Sequence, residues 1–148
     1  IKEIKNDIDT GLTGNIRFLH AIIPMMKEKE SGLILLLGST VVLKSPPTRM
    51  SSYTVTKYGL MGLSKSLAVE LAPYGIRVVM VSPSYVDTTL LKAFPGKMLE
   101  MEKQNHPNNQ LLKPGELASL LMPIINQPTA FPNNSHVTVD KQNRLISA

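Results

Sequence analysis

From about Ile4 to Lys29, apolar residues return every three or four positions: Ile8, Leu12, Ile16, Leu19, Ile23 and Met26. That spacing predicts an amphipathic helix with one face on a core. Gly11 and Gly14 flank one of its turns, as points of close packing or as a weak spot. Pro24 lacks a backbone donor and predicts a kink or a local break. Lys27 to Glu30 form a solvated, mixed-charge end, and Ser31-Gly32 is a stop signal. The pattern then changes. Leu33 to Leu37 is a short, wholly apolar run that predicts a strand buried on both faces, ended by Gly38-Ser39-Thr40. Val41 to Ser51 reads as a loop marked by Pro46-Pro47. A second helix follows, capped by Ser51 or Ser52 and running to about Ala72. Leu60, Leu63, Leu67 and Leu71 make its core stripe, and Gly59 and Gly62 permit close approach of a neighbour. Pro73 and Gly75 end it. Ile76 to Val81 is rich in β-branched residues and predicts a second strand, closed by Ser82-Pro83-Ser84. Thr88 to Lys113 is polar and irregular, broken at Pro95-Gly96 and at His106-Pro107-Asn108-Asn109. A stretch of this kind is either a binding loop or a disordered segment. Glu116 to about Ile125 predicts a short helix, and Val137 to Val139 a last strand.

The order is helix, strand, helix, strand, loop, helix, strand. Such alternation predicts an α/β fold, part of a doubly wound, Rossmann-like parallel sheet with helices on both faces. The 148 residues show no internal repeat and nothing that marks a second domain. The glycines stand at 11, 14, 32, 38, 59, 62, 75, 96 and 115, and none forms a G-x-G-x-x-G turn after a first strand. Residues 1–148 are therefore expected to be a single incomplete domain whose N-terminal strands are missing. The first residue is Ile1, as in a processed product, an excerpt or an incomplete reading frame, so no leader peptide can be judged.

Composition narrows the classes. With 43% hydrophobic and 18% charged residues and a mean hydropathy of +0.02, this is the make-up of an ordinary globular protein. No apolar run approaches the ~20 residues that a membrane span requires. The net charge of +5 favours anionic partners such as a nucleotide cofactor. The basic residues are scattered without a stripe or interleaved aromatics, which argues against nucleic acid. Cysteine is absent, which fits a reducing compartment and the cytoplasm. His106 has no Cys or second His near it, so no metal site is expected.

The candidate chemistry lies in Ser39, Tyr53 and Lys57. Four residues separate Tyr53 from Lys57, which puts both on one helix face a turn apart. A phenolate held about 4 Å from an ammonium gains roughly 4 kcal/mol at an effective dielectric near 20. That would lower its pKa by about three units before desolvation takes some back. A phenol poised near neutrality can act as a general acid or base. Ser39, at a strand end, is placed to hydrogen-bond a carbonyl oxygen, since ligands of open parallel sheets bind past the strands' carboxyl ends. Taken alone, the pair is equally a core-packed tyrosine beside a solvated lysine, and Ser39 a simple strand terminator.

In sequence context these residues resemble the C-terminal half or more of the short-chain dehydrogenase/reductase family. The matching landmarks, in family order, are the apolar strand ending in Gly38-Ser39, the YTVTK of Tyr53 to Lys57, the SLAVELAPYGIRVVMVSP of Ser66 to Pro83, and the VDT of Val86 to Thr88. The resemblance implies an oxidoreductase interconverting an alcohol and a carbonyl compound with NADP or NAD. In that reading Tyr53 is the proton donor or acceptor. Lys57 lowers its pKa and hydrogen-bonds the nicotinamide ribose, and Ser39 holds the substrate carbonyl. Pro83, Ser84, Val86 and Thr88 line the nicotinamide end. The 88–113 stretch becomes the substrate loop. The helices at 4–29 and 52–72 imply a homodimer or larger homo-oligomer.

Four departures accompany the match. The family's asparagine in the first helix falls at Gly11. Ser39 stands one residue further from Tyr53 than is commonest, which makes Thr40 an alternative hydroxyl. The usual Pro-Gly after the second strand reads Pro83-Ser84, and the C-terminal VDGG reads Val139-Asp140-Lys141-Gln142. With no diphosphate-binding turn, the 148 residues alone are expected to bind cofactor weakly and to be inactive. Two alternatives stay open: a truncated or non-catalytic relative acting through subunit contacts, and a nucleic-acid-binding fragment. The substrate and the choice between NAD and NADP are not written in these residues.

Overall fold

In the computed structural model every residue is described except Ile1, Pro47, Pro95 and Lys141, and only the backbone is described at Lys2, Glu3, Lys92 and Ala93. Three of the expected breaks and departures, at Pro46-Pro47, Pro95-Gly96 and Val139 to Gln142, thus include a residue outside the described set. The first long helix is built in three pieces: α1 (Lys2–Ile8), a π-helical turn (Asp9–Thr13) and α2 (Gly14–Glu28). A π turn inserts one residue into the i→i−4 ladder, so the apolar stripe shifts phase at Gly11. Leu19 is accordingly buried, while Ile16, expected on the core face, is 45% exposed. The helix also runs through Pro24 instead of breaking there. Pro24 and His20 are both exposed, so the carbonyl that loses its donor meets water.

Strand β1 (Gly32–Leu37) pairs in parallel with β2 (Ile76–Ser82), in register from Gly32↔Ile76 to Leu37↔Val81. Strand β3 (His136–Val139) extends the sheet in parallel beside β2, and β4 (Leu145–Ser147) closes it antiparallel to β3, in the order β1-β2-β3-β4. The terminal hairpin is a feature that the sequence pattern did not reveal. Its turn is held by the Asp140 carboxylate, which accepts from the backbone of Gln142 and Arg144 and from the Arg144 guanidinium.

Helices cover both faces. On one, α2 and α3 (Ser51–Leu71) bury Leu19, Leu60, Leu67, Ala68 and Leu71 against Ile34, Leu36, Ile76 and Val78. On the other, α5 (Pro114–Asn126) buries Ile124 against Val79, Val81 and Val137. β1 departs from the expected burial on both faces. Ile34 and Leu36 are each 4% exposed, but Leu33 and Leu35 are only half-covered and Leu37 is 47% exposed. Among the described residues β1 is an edge strand, so its second face has a neighbour on one side only.

Two expectations about α3 change. Neither Ser51 nor Ser52 caps it, because Met50 holds the cap position. Ser52 instead donates to the Asp7 carboxylate at 2.5 Å, tying α3 to α1. Gly59 is needed for close approach, since a Cβ there would stand 2.7 Å from Leu12, whereas nothing lies within 4 Å of one at Gly62. The 88–113 stretch is more ordered than its composition suggests. It contains a 3₁₀ turn (Thr89–Ala93), helix α4 (Gly96–Lys103) and a second short turn (Pro107–Asn109), and it is pinned by a bridge between Val86 and Leu112. Among the described residues no helix is long and apolar enough to cross a membrane.

Candidate active site

The carboxyl ends of β1 and β2 open into a cavity of about 560 Å³, walled on the far side by the 88–113 stretch and α5. The floor is set by close backbone packing. Gly38 donates to the Val81 carbonyl at 2.7 Å, and a Cβ at Gly38 would run into Met80 and Ser82. Ser82 is fully buried and held by His136 Nε2 at 2.8 Å, and its carbonyl accepts from Thr138. This fixes where the chain turns out of β2 into Pro83-Ser84.

Ser39 leaves β1 in extended conformation, and its hydroxyl accepts from the Val41 backbone at 3.3 Å. Thr40 N–H reaches across to the Pro83 carbonyl at 3.1 Å, which locks the two strand ends together. Tyr53, in the first turn of α3, is half-buried and borders the cavity with Ser39. The Ser39 hydroxyl stands beside the Tyr53 phenol, near enough to ease its ionisation. Thr40 also borders the cavity.

Lys57 lies against Tyr53, as its spacing suggested, but its ammonium is engaged elsewhere. Its ammonium donates to the Leu37 carbonyl at 2.9 Å and lies over the Tyr53 ring, 5.6 Å from the centroid. Burial pushes the Tyr53 phenol above its ordinary pKa, and the Ser39 hydroxyl pulls it partly back. Burial lowers the Lys57 ammonium. The expected acidification of the phenol by Lys57 is therefore reversed in this chain: desolvation of the phenolate outweighs a charge that sits over the ring and is held by a carbonyl. Tyr53 is accordingly a protonated phenol at neutral pH, the form a proton donor needs.

Pro83, Ser84, Val86 and Thr88 all line the same cavity, so the structure gathers every expected site residue except Lys57 around one space, with Lys57 just behind the phenol. Gly11 lies on the π turn, packed so closely on α3 that a Cβ would come 2.5 Å from Thr56, and its carbonyl accepts from Asn15. Sequence reasoning missed Tyr85, Phe94 and Glu102, which complete the far wall. The Tyr85 and Phe94 rings meet edge to face at 5.8 Å. Only the position of Tyr85, two residues past Pro83 in a strand-end turn, hinted at a site role. Among the described residues no group of three His, Cys, Asp or Glu side chains could hold a metal ion.

The family model described as enoyl-(acyl carrier protein) reductase matches residues 1–141. A 3-oxoacyl-(acyl-carrier-protein) reductase of Vibrio harveyi is 32% identical over 127 residues, covering 85% of this chain and 52% of the relative. The corresponding Thermotoga maritima protein is 26% identical over 133 residues, covering 90% and 54%. Among solved structures, a 3-ketoacyl-(acyl-carrier-protein) reductase from Brucella melitensis complexed with NADH superposes with a TM-score of 0.82 at 27% identity, covering 96% of this chain and 58% of that one. The chain spans about half the length of the relatives it matches. The strand order, the strand-end cavity and these matches lead to one conclusion: this chain belongs to the short-chain dehydrogenase/reductase family.

Proposed function

We propose that this chain supplies the proton-transfer and nicotinamide-facing part of an NAD- or NADP-dependent oxidoreductase that interconverts an alcohol and a carbonyl compound. The observation that carries this reading is that Ser39 and Tyr53 line one cavity past the strand ends together with Pro83, Ser84, Val86 and Thr88. The cavity suits the nicotinamide end of a cofactor. Leu37, Pro83 and Val86 offer apolar surface, and Ser84 and Thr88 offer polar contacts. When bound, the nicotinamide supplies or accepts the hydride. In reduction, the Ser39 hydroxyl and the Tyr53 phenol orient the substrate carbonyl, and the Tyr53 oxygen gives its proton to the carbonyl oxygen. In oxidation the same oxygen takes the proton back. Lys57 positions Tyr53 from behind and stands ready for the ribose. The segment 88–113 forms the substrate side of the pocket.

Among the 148 residues no glycine-rich turn offers a diphosphate site. NADH and NADPH are therefore expected to bind more weakly than micromolar, with amide shifts at Val86 and Thr88. Titration followed by NMR checks this. Micromolar affinity would contradict the half-site, and unmoved Val86 and Thr88 amides at millimolar cofactor would contradict the cofactor reading itself.

A second reading, pairing with another copy of the chain, draws on exposed apolar residues of α2 and α3: Phe18 is 65% exposed, Met25 59%, Val55 57% and Val69 73%. Apolar residues this exposed on long helices favour an interface. Sedimentation equilibrium at about 100 μM, well above the Kd of a stable dimer, is expected to show a dimer or larger. A monomer would remove this reading.

A further inference from the structure

The cavity does not end at Tyr53. It continues past Tyr85, whose phenol lies close enough to both Tyr53 and the Glu102 carboxylate for both to act on its ionisation after burial. Tyr85 and Glu102, the latter on α4, line the same cavity as Tyr53. Leu90, Leu91, Leu117 and Leu121 also line it, with the Tyr85–Phe94 pair, so the lining apart from the carboxylate is largely apolar and aromatic. Glu102 is half-buried, and its carboxylate accepts a long hydrogen bond, 3.3 Å, from the Asn105 side chain. The adjacent lysine, Lys103, is engaged by Glu100 at 2.6 Å. Glu102 also borders a second hollow of about 440 Å³ with Lys97, Met98, Met101 and Asn105, so it stands where the cavity meets the surface. Lys44 borders the main cavity as well, but its side chain is exposed and solvated.

A half-buried carboxylate beside aromatic faces, in a largely apolar cavity, is complementary to a cation carried on an apolar body. We propose that Glu102 is a specificity-determining residue, and that the carbonyl or alcohol substrate carries an ammonium group on the side away from the reacting carbon. The inference rests on Tyr53 as the reacting end. The ammonium would meet Glu102 and the edge of the aromatic pair while the carbonyl lies against Ser39 and Tyr53.

Three cyclohexanones test it, carrying opposite the carbonyl a trimethylammonium, its isosteric tert-butyl, or a carboxylate. Affinity for the 148-residue chain is measured by NMR titration, with the ring carbon of Tyr53 that bears the hydroxyl as a reporter of the reacting end. Glu102→Gln is expected to weaken the trimethylammonium ketone by about 10-fold or more, to leave the tert-butyl ketone within about 2-fold, and to improve the carboxylate ketone, the pattern of a lost charge contact. Glu102→Lys should enlarge both charge effects and again leave the tert-butyl ketone within about 2-fold. Both variants sit on a solvent-facing helix, and circular dichroism confirms the fold. Equal effects of Glu102→Gln on the charged and neutral ketones, or a tighter carboxylate ketone in the wild type, would overturn the inference and leave Tyr53 untouched. If no ketone moves the Tyr53 signal, the reading of the reacting end fails instead.

Discussion

In a protein that completes the cofactor site around this chain, replacing Tyr53 by phenylalanine is expected to lower carbonyl reduction by about 100-fold or more, the lower end of what a positioned general acid contributes. The substitution removes one oxygen and keeps the ring on which Lys57 rests. The fold should therefore persist, and the loss should lie in turnover more than in substrate affinity. The argument rests on burial. The phenol is held above its ordinary pKa, so at neutral pH it carries the proton that reduction consumes. Steady-state kinetics of wild type and Tyr53→Phe check the claim. Equal rates would contradict it.

The second large effect is expected at Gly75, where α3 gives way to β2. This residue adopts a left-handed conformation (φ +65°), and a Cβ would stand 2.6 Å from the backbone oxygen of Glu30, at the turn that leads into β1. The two turns launch adjacent strands whose register starts at Gly32↔Ile76, so neither backbone can move without shifting the other. Left-handed strain together with that clash gives an expected cost of about 2–4 kcal/mol for Gly75→Ala. In thermal unfolding this corresponds to a Tm about 5–15 °C lower. An unchanged Tm would show that the two turns are looser than the packing indicates.

Much of the frame was legible in the sequence because local signals agreed. The stripe of Leu60, Leu67 and Leu71 is buried as its spacing demands, and the β-branched run from Ile76 to Val81 became the central strand. What was not legible depends on contacts between distant segments. The π turn at Asp9–Thr13 leaves no mark beyond Gly11, yet it moves Ile16 off the core face. Whether β1 is buried on one face or two depends on what lies beside it. β4 has three residues, too few for a period to show. In the site, the four-residue spacing correctly put Lys57 against Tyr53, but spacing cannot tell where an ammonium points. Here it points to the Leu37 carbonyl, and burial then governs the phenol. Tyr85 and Glu102 are separated by a turn and a helix, and folding alone makes them neighbours.

In the proposed reaction the phenol of Tyr53, beside the Ser39 hydroxyl, meets a substrate carbonyl in the strand-end cavity. Carbon-13 labelling of tyrosine lets NMR follow that phenol during addition of a simple ketone and during a pH titration. The expected result is a Tyr53 signal that shifts on ketone binding, with an ionisation above that of ordinary tyrosine that rises further in Ser39→Ala. A signal indifferent to bound ketone, or a phenol that ionises near neutral pH and ignores Ser39→Ala, would contradict it.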